Sequence, residues 1–105
     1  MPAKLSIHLP DQAAAIRIIP DGADIVLGRD SSTELPLRHA SVSRRHAQLT
    51  ELSPGVWQLR DLQSKNGTRI DGARIERAQL AHGRWFAIGD VYCEFELIGA
   101  LDPLQ

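Results

Sequence analysis

The sequence predicts an all-β sandwich, because turn signals divide the chain into short pieces whose residues alternate between apolar and polar. Dipeptides such as Asp21-Gly22, Asn66-Gly67 and Gly89-Asp90 recur along the chain and mark its turns. Between them, residues at every second position share one face of a strand. No window combines a helical apolar period with caps at both ends, so no helix is predicted.

Short strands are expected along the whole length of the chain. The strand pattern occurs at residues 5–9, 16–19, 25–27, 35–37, 47–49, 57–59 and 91–97. Residues 16–19 and 25–27 are continuous runs rich in β-branched side chains, which is typical of buried strands. Within these and the neighbouring segments we expect Trp57, Trp85 and Cys93 to lie in the core.

The bulk composition predicts one domain and excludes several functional classes. A chain of 105 residues fits a single domain, which we assign to residues 1–99, with residues 100–105 as a tail or the start of a linker. A net charge of −1 argues against general electrostatic capture of nucleic acid or of an anionic membrane. No signal peptide or membrane-spanning run is visible, and Cys93 is the only cysteine. A reducing, cytoplasmic location is therefore expected.

Polar side chains concentrate in three segments that lie at predicted strand ends. These segments are Gly28-Arg29, residues 41–47 and residues 61–68. Loops at strand ends are where a rigid sandwich presents its binding residues. If the three segments meet, they join the cations Arg29, Arg44, Arg45 and Lys65 with the hydroxyls of Ser43, Ser64 and Thr68. Such a set suits a phosphate dianion, which needs several positive charges and hydrogen-bond donors.

The same segments resemble a known family. Gly28-Arg29, the string Val-Ser-Arg-Arg-His-Ala at residues 42–47 and the string Ser-Lys-Asn-Gly-Thr at residues 64–68 are similar to the motifs of the forkhead-associated (FHA) domain. The order and the spacings are similar too, over nearly the whole chain. The resemblance implies an FHA-type β-sandwich of about eleven strands with its binding loops at one end.

The resemblance also implies a role for each matching residue. Arg29, Ser43 and Arg44 would bind the phosphate of a phosphothreonine. Lys65 would be a further contact near it, and Asn66 would hold the peptide backbone.

Other matching residues would serve loop geometry, namely Gly28, His46, Gly67 and Thr68. Ser41 lies where some members of the family use a longer or basic side chain to select a distal peptide residue. Asp71-Gly72 replaces the more usual Asn-Gly of the family, and we expect the turn to survive because Asp tolerates the same geometry.

The implied function is phosphothreonine-dependent binding without catalysis. The partner would be a protein phosphorylated by a Ser/Thr kinase in signal transduction, or further domains of the same polypeptide. The frequent Ala, Arg, Gly and Asp with few lysines favour a bacterial source. The alternative is a phosphate-independent scaffold domain of a larger assembly, such as a bacterial secretion system. Such scaffolds generally lack the arginine and the serine that this chain retains as Arg29 and Ser43.

Other functions fit the sequence poorly. Ser43 and His46 lack a nucleophile-elbow setting, and neighbouring arginines disfavour the imidazolium that a hydrolase must form, so we expect no enzyme. The histidines have no metal-ligand spacing, and no metal or cofactor is predicted. Few exposed aromatic residues are expected, which argues against nucleic acid as a partner.

Overall fold

The computed structural model describes residues 1–99, which form eleven β-strands. In chain order these are β1 (Ala3–His8), β2 (Ala15–Ile19), β3 (Asp24–Gly28), β4 (Leu35–Pro36), β5 (Ala47–Ser53), β6 (Val56–Asp61), β7 (Thr68–Ile70), β8 (Ala73–Ile75), β9 (Arg77–Leu80), β10 (Arg84–Ile88) and β11 (Val91–Leu97). The predicted all-β architecture of about eleven strands is confirmed. The predicted tail, residues 100–105, lies outside the described residues.

The strands form two sheets that pack face to face. One sheet has six strands in the order β2-β1-β11-β10-β7-β8, and the other has five in the order β4-β3-β5-β6-β9. Neighbouring strands pair in antiparallel fashion, except that β3 pairs with the short β4 in parallel. In residues 1–99 no helix is long and apolar enough to cross a membrane.

The core lies between the two sheets and follows the predicted alternation. Leu5, Leu49, Trp57 and Phe95 are fully buried, and the Trp57 and Phe95 rings meet edge to face with centroids 5.9 Å apart. Burying each large apolar side chain stabilises the fold by about 1.5–3 kcal/mol. Cys93 is buried as predicted, and burial raises the pKa of its thiol to about 12, which keeps it protonated.

Two core predictions are wrong. Trp85 is 43% exposed, because it lies opposite Glu94 on the outward face of β10, while its neighbour Phe86 points into the core. In the run at residues 16–19, only Ile19 is buried, whereas Ile16 and Ile18 are more than half exposed. β2 is an edge strand with one face in solvent, so a continuous apolar run did not indicate burial on both faces here.

Three connections that carry the predicted polar segments meet at one end of the sandwich. The segment after β3 contacts the one before β5, since the Arg29 N–H donates to the Ser43 carbonyl at 2.9 Å. The segment after β6 contacts the start of β5, since the Leu62 N–H donates to the His46 carbonyl at 2.9 Å. The fold therefore brings Gly28-Arg29, residues 41–47 and residues 61–68 together.

Candidate functional site

Arg29 is held against the segment before β5 by a close backbone approach. A Cβ atom at Gly28 would lie 2.0 Å from the Arg44 carbonyl oxygen, so only glycine permits this approach. The Arg29 side chain is exposed, and its Nε–H donates to the Val42 carbonyl at 3.0 Å. One of the five guanidinium N–H groups is thereby used to fix the side chain, which leaves the terminal groups for a ligand.

Ser43 lies next to Arg29 and is bonded to the third segment. Its Oγ accepts a hydrogen bond from the Lys65 N–H at 3.0 Å. Because that bond uses an acceptor site, the Ser43 hydroxyl proton stays available for donation. The backbones of Arg29 and Lys65 therefore both contact Ser43, which brings these three predicted residues together.

His46 is fully buried and bonds both the segment that contains Ser43 and the loop between β6 and β7. Its Nδ1 accepts from the Ser43 N–H at 3.0 Å, so Nε2 carries the proton and donates to the Gly67 carbonyl at 2.9 Å. Burial lowers the pKa of His46, which favours this neutral tautomer. The imidazole bonds the backbone of Ser43 and not its hydroxyl, a geometry unlike that of a nucleophile and its general base.

The loop between β6 and β7 is closed on itself by Asp61. The carboxylate accepts hydrogen bonds from the Ser64 N–H at 3.1 Å, from the Ser64 hydroxyl, and from the Thr68 hydroxyl at 2.8 Å. Burial alone would raise the pKa of Asp61, but the hydrogen bonds from Ser64 and Thr68 outweigh burial and lower it. The Gly67 N–H in turn donates to Ser64 Oγ at 3.0 Å.

This network corrects one expectation about the ligand shell. Ser64 and Thr68 are only 4% and 0% exposed, and both hydroxyls are bonded to Asp61. They shape the loop and do not face a ligand, so the predicted hydroxyl set is reduced to Ser43. The placement of Thr68 suits the loop-geometry role that the family resemblance implied for it.

Asn66 and Ser41 connect the loop to its neighbours. Asn66 is exposed, and its Nδ2 donates to the Ser41 carbonyl at 2.8 Å, which leaves Oδ1 and a second N–H for a peptide backbone. The Ser41 hydroxyl accepts from the Asp90 N–H at 2.8 Å and lies 2.8 Å from His39 Nδ1. Hydrogen bonds therefore fix Ser41 to His39, Asn66 and Asp90.

The exposed charges at this end are predominantly positive. Arg29, Arg44, Arg45 and Lys65 are all exposed, and the ion pairs formed within residues 1–99 include none of them. Asp30 lies at the rim of the site. A hydrogen bond from the Ser32 N–H chiefly lowers the pKa of Asp30, with a smaller contribution from the positive charges of Arg44 and Arg29. A doubly negative ligand would thus meet several unpaired cations.

One supporting residue was missed at the sequence level. Arg74 on β8 donates from Nη2 to the Ser64 carbonyl at 2.8 Å. Its side chain covers Gly67, where an added Cβ would lie 2.9 Å from Arg74 Nε. No local pattern marks Arg74, because its contacts are made with a loop from another part of the chain.

The fold and this loop cluster match a known class of protein. The family model described as FHA domain matches residues 25–89, which is more than half of the chain and includes all three loop segments. The chain belongs to the FHA domain family.

Individual relatives agree with this assignment. The ABC transporter ATP-binding/permease protein Rv1747 of Mycobacterium tuberculosis is 36% identical over 73 residues, which is 70% of this chain and 8% of that protein. The glycogen accumulation regulator GarA of Mycolicibacterium smegmatis is 34% identical over 90 residues, which is 86% of this chain and 54% of that protein. The chain therefore spans about half of GarA and a small part of the transporter.

A solved structure supports the same conclusion. It comes from a structural and functional analysis of phosphothreonine-dependent FHA domain interactions. Its TM-score with this chain is 0.81 at 26% sequence identity, and the match covers 92% of this chain and 97% of that one.

Proposed function

We propose that this domain binds phosphothreonine peptides and recruits proteins that a Ser/Thr kinase has phosphorylated, without catalysing a reaction. One observation carries the proposal. Arg29, Ser43 and Lys65 are held next to one another by backbone and side-chain hydrogen bonds, which leave the terminal guanidinium N–H groups, the Ser43 hydroxyl proton and the Lys65 ammonium group for a ligand. Preformed donors cost little ordering entropy on binding, which favours affinity for a compact dianion.

The remaining assignments follow from position. Arg44 is exposed beside this group and would add a further charge to the phosphate shell. Asn66, anchored to Ser41, would hold the peptide main chain through its free amide groups. His46, Gly28, Gly67 and Thr68 would keep the loops in place. The mycobacterial relatives favour a bacterial signalling role, and we propose that it is exercised in the cytoplasm, where Ser/Thr kinases act.

The test is calorimetric titration with oriented peptide pools that carry phosphothreonine, phosphoserine or unphosphorylated threonine. We expect binding by the phosphothreonine pool, weaker or no binding by the phosphoserine pool, and none by the third. Arg29→Ala should weaken binding about 30-fold, because charge-assisted hydrogen bonds are lost. Its unfolding free energy should change by less than about 1 kcal/mol, since one neutral acceptor loses a partner.

Arg17→Ala is the matched control, because Arg17 is an exposed arginine on β2, outside the loop cluster. It removes the same charge and should leave peptide binding unchanged. Equal affinities of the Arg29→Ala and parent proteins would refute the site assignment. A folded parent that binds no pool would instead favour the phosphate-independent scaffold.

A further inference from the structure

A second concavity lies next to the loop between β6 and β7. Its volume is about 590 Å³, and its lining consists of three arginines, two acids and two neutral residues: Arg60, Arg74, Arg77, Asp61, Glu76, Gln63 and Ile75. We call this concavity the basic pocket. Among the described residues that line it, none is assigned to phosphothreonine binding. Arg74 and Asp61 support the binding loop, but the proposed function gives no role to Arg60, Arg77 and Glu76.

Strand register places two of its arginines directly opposite each other. Arg60 on β6 pairs with Arg77 on β9, and both side chains are exposed. Like charges at directly opposed positions destabilise a sheet, so the fold gains nothing from this arrangement. On its other side Arg60 pairs with Gln48, whose amide donates to Asp24 at 2.6 Å. No acid lies opposite the two arginines in this row of three strands, although Asp61 and Glu76 are their neighbours in sequence and line the same pocket.

The third arginine connects the basic pocket to the peptide-binding loop. Arg74 donates to the Ser64 carbonyl at 2.8 Å and covers Gly67 from behind. The ion pairs formed in residues 1–99 include none of the three arginines. The loop that carries Lys65 and Asn66 therefore borders both the proposed phosphothreonine site and the basic pocket.

We propose that the basic pocket binds a second anionic group of the same ligand, a carboxylate or phosphate that flanks the phosphothreonine. This inference rests on the proposed function and adds the charge preference of its ligand. Guanidinium groups bind carboxylate and phosphate alike through paired N–H donors. Two acids line the same concavity and oppose the incoming charge: the exposed Glu76, and Asp61, whose carboxylate is bonded to Ser64 and Thr68. Three arginines against two carboxylates still leave the lining with an excess of positive charge. Neutralising Glu76 should therefore strengthen binding, whereas neutralising the arginines should weaken it.

The first experiment needs no phosphothreonine. The parent and the Arg29→Ala variant are titrated with an unphosphorylated tetra-aspartate peptide, and nitrogen–proton NMR spectra are followed. Saturable shifts are expected at the backbone amides and Nε–H groups of Arg60 and Arg77 in both proteins. Arg60→Gln/Arg77→Gln should weaken this binding about 5-fold, because exposed ion pairs each contribute little. Glu76→Gln should strengthen it about 2-fold.

A control variant distinguishes binding at the basic pocket from attraction by the overall charge of the protein. Arg17→Gln/Arg84→Gln removes the same charge from exposed positions on the other sheet and should bind the tetra-aspartate peptide as the parent does. Equal weakening by the two double variants would overturn the proposal, since only overall charge would then matter. Absence of saturable shifts in a folded parent would overturn it too.

The second experiment tests whether one ligand uses both sites. Phosphothreonine peptides are compared that carry aspartate, phosphoserine or glutamine at each flanking position in turn. At the flanking positions whose side chains reach the basic pocket, the peptides with aspartate or phosphoserine should bind the parent about 5-fold more tightly than the glutamine peptide. Arg60→Gln/Arg77→Gln should abolish that difference and keep the binding of the glutamine peptide.

The two possible failures give different results. If the proposed function is wrong, no phosphothreonine peptide binds. If only the basic pocket is wrong, the anionic and glutamine peptides bind equally well. A preference for phosphoserine over aspartate would identify phosphate as the source of the second anion, and the reverse order would identify a carboxylate.

Discussion

Two connections in this domain carry similar dipeptides but differ in their surroundings. Asn66-Gly67 lies between β6 and β7, and Asp71-Gly72 forms the two-residue hairpin between β7 and β8. Both glycines have positive φ, 85° at Gly67 and 78° at Gly72. Gly67 is buried beneath Arg74, whereas a Cβ at Gly72 would meet nothing within 4 Å.

Distant residues account for this difference. Gly67 is bonded through its carbonyl to His46 and through its N–H to Ser64. At the hairpin, Asp71 forms an exposed ion pair with Arg84 at 3.3 Å, and such pairs contribute little. The dipeptide predicts a turn in both places, and only the tertiary contacts make one of them a rigid binding loop.

The largest contrast should come from replacing the aspartates that serve the two turns. Asp61→Asn should destabilise the domain by about 2–3 kcal/mol, because an amide N–H group would oppose a buried N–H of Ser64 and charge assistance would be lost. Asp71→Asn should unfold as the parent does, since Asn accepts the positive φ of 53° found at Asp71. Urea unfolding measures both variants. Equal destabilisation would contradict the contrast between the two turns.

A smaller contrast is expected from the two glycines. Gly72→Ala should cost about 1 kcal/mol, which is the strain of alanine in the left-handed region. Gly67→Ala carries the same strain and also crowds Arg74, so about 2 kcal/mol is expected. Thermal unfolding gives the stabilities, and peptide titration should show weaker binding for Gly67→Ala alone. If Arg74→Ala restores none of the lost stability in Gly67→Ala, crowding by Arg74 is not the cause.

The smallest effect concerns pH and tests the buried side of the binding loop. His46 has a lowered pKa in the folded state, so the unfolded chain binds more protons as pH falls below about 6.5. Stability should therefore be fully present above that pH and decline on acidification until the lowered pKa is passed. The slope from one histidine cannot exceed about 1.4 kcal/mol per pH unit.

Urea unfolding of the parent and His46→Gln between pH 7.5 and 5 checks this prediction. The variant should be less stable at neutral pH and should show a flatter pH dependence. Asp61 acts in a more acidic range, because its lowered pKa gives stability that is lost only as pH falls below about 3.8. An unchanged slope in His46→Gln would assign the pH dependence to other groups.

The sequence predicted those strands whose alternation was clear. β1 and β11 have the expected faces, with Leu5 and Phe95 inside and Glu94 outside. The turn at Asp71-Gly72 also formed as expected, with positive φ at both residues. In these segments the local pattern suffices, because side chains alternate with the same period as the strand.

Burial could not be predicted at positions where a side chain would be acceptable on either face of its strand. Trp85 and Phe86 are adjacent aromatic residues, and only the pairing of β10 with β11 decides which one is buried. Ile16 and Ile18 are exposed because β2 lies at a sheet edge, and the order of strands is not visible in a local run. The opposition of Arg60 and Arg77 likewise depends on strand register.

The sequence by itself determined the all-β class, the turns and the loop segments, since each depends on neighbouring residues and backbone preference. It also contained the motifs that relate this chain to the FHA domain family. Only the tertiary structure decided which polar groups face a ligand and which support the loops. Ser43 and Ser64 look alike in the sequence, but Ser64 is buried against Asp61 and Ser43 lies beside Arg29. Buried polar groups must find partners, and those partners come from strands far apart in the chain.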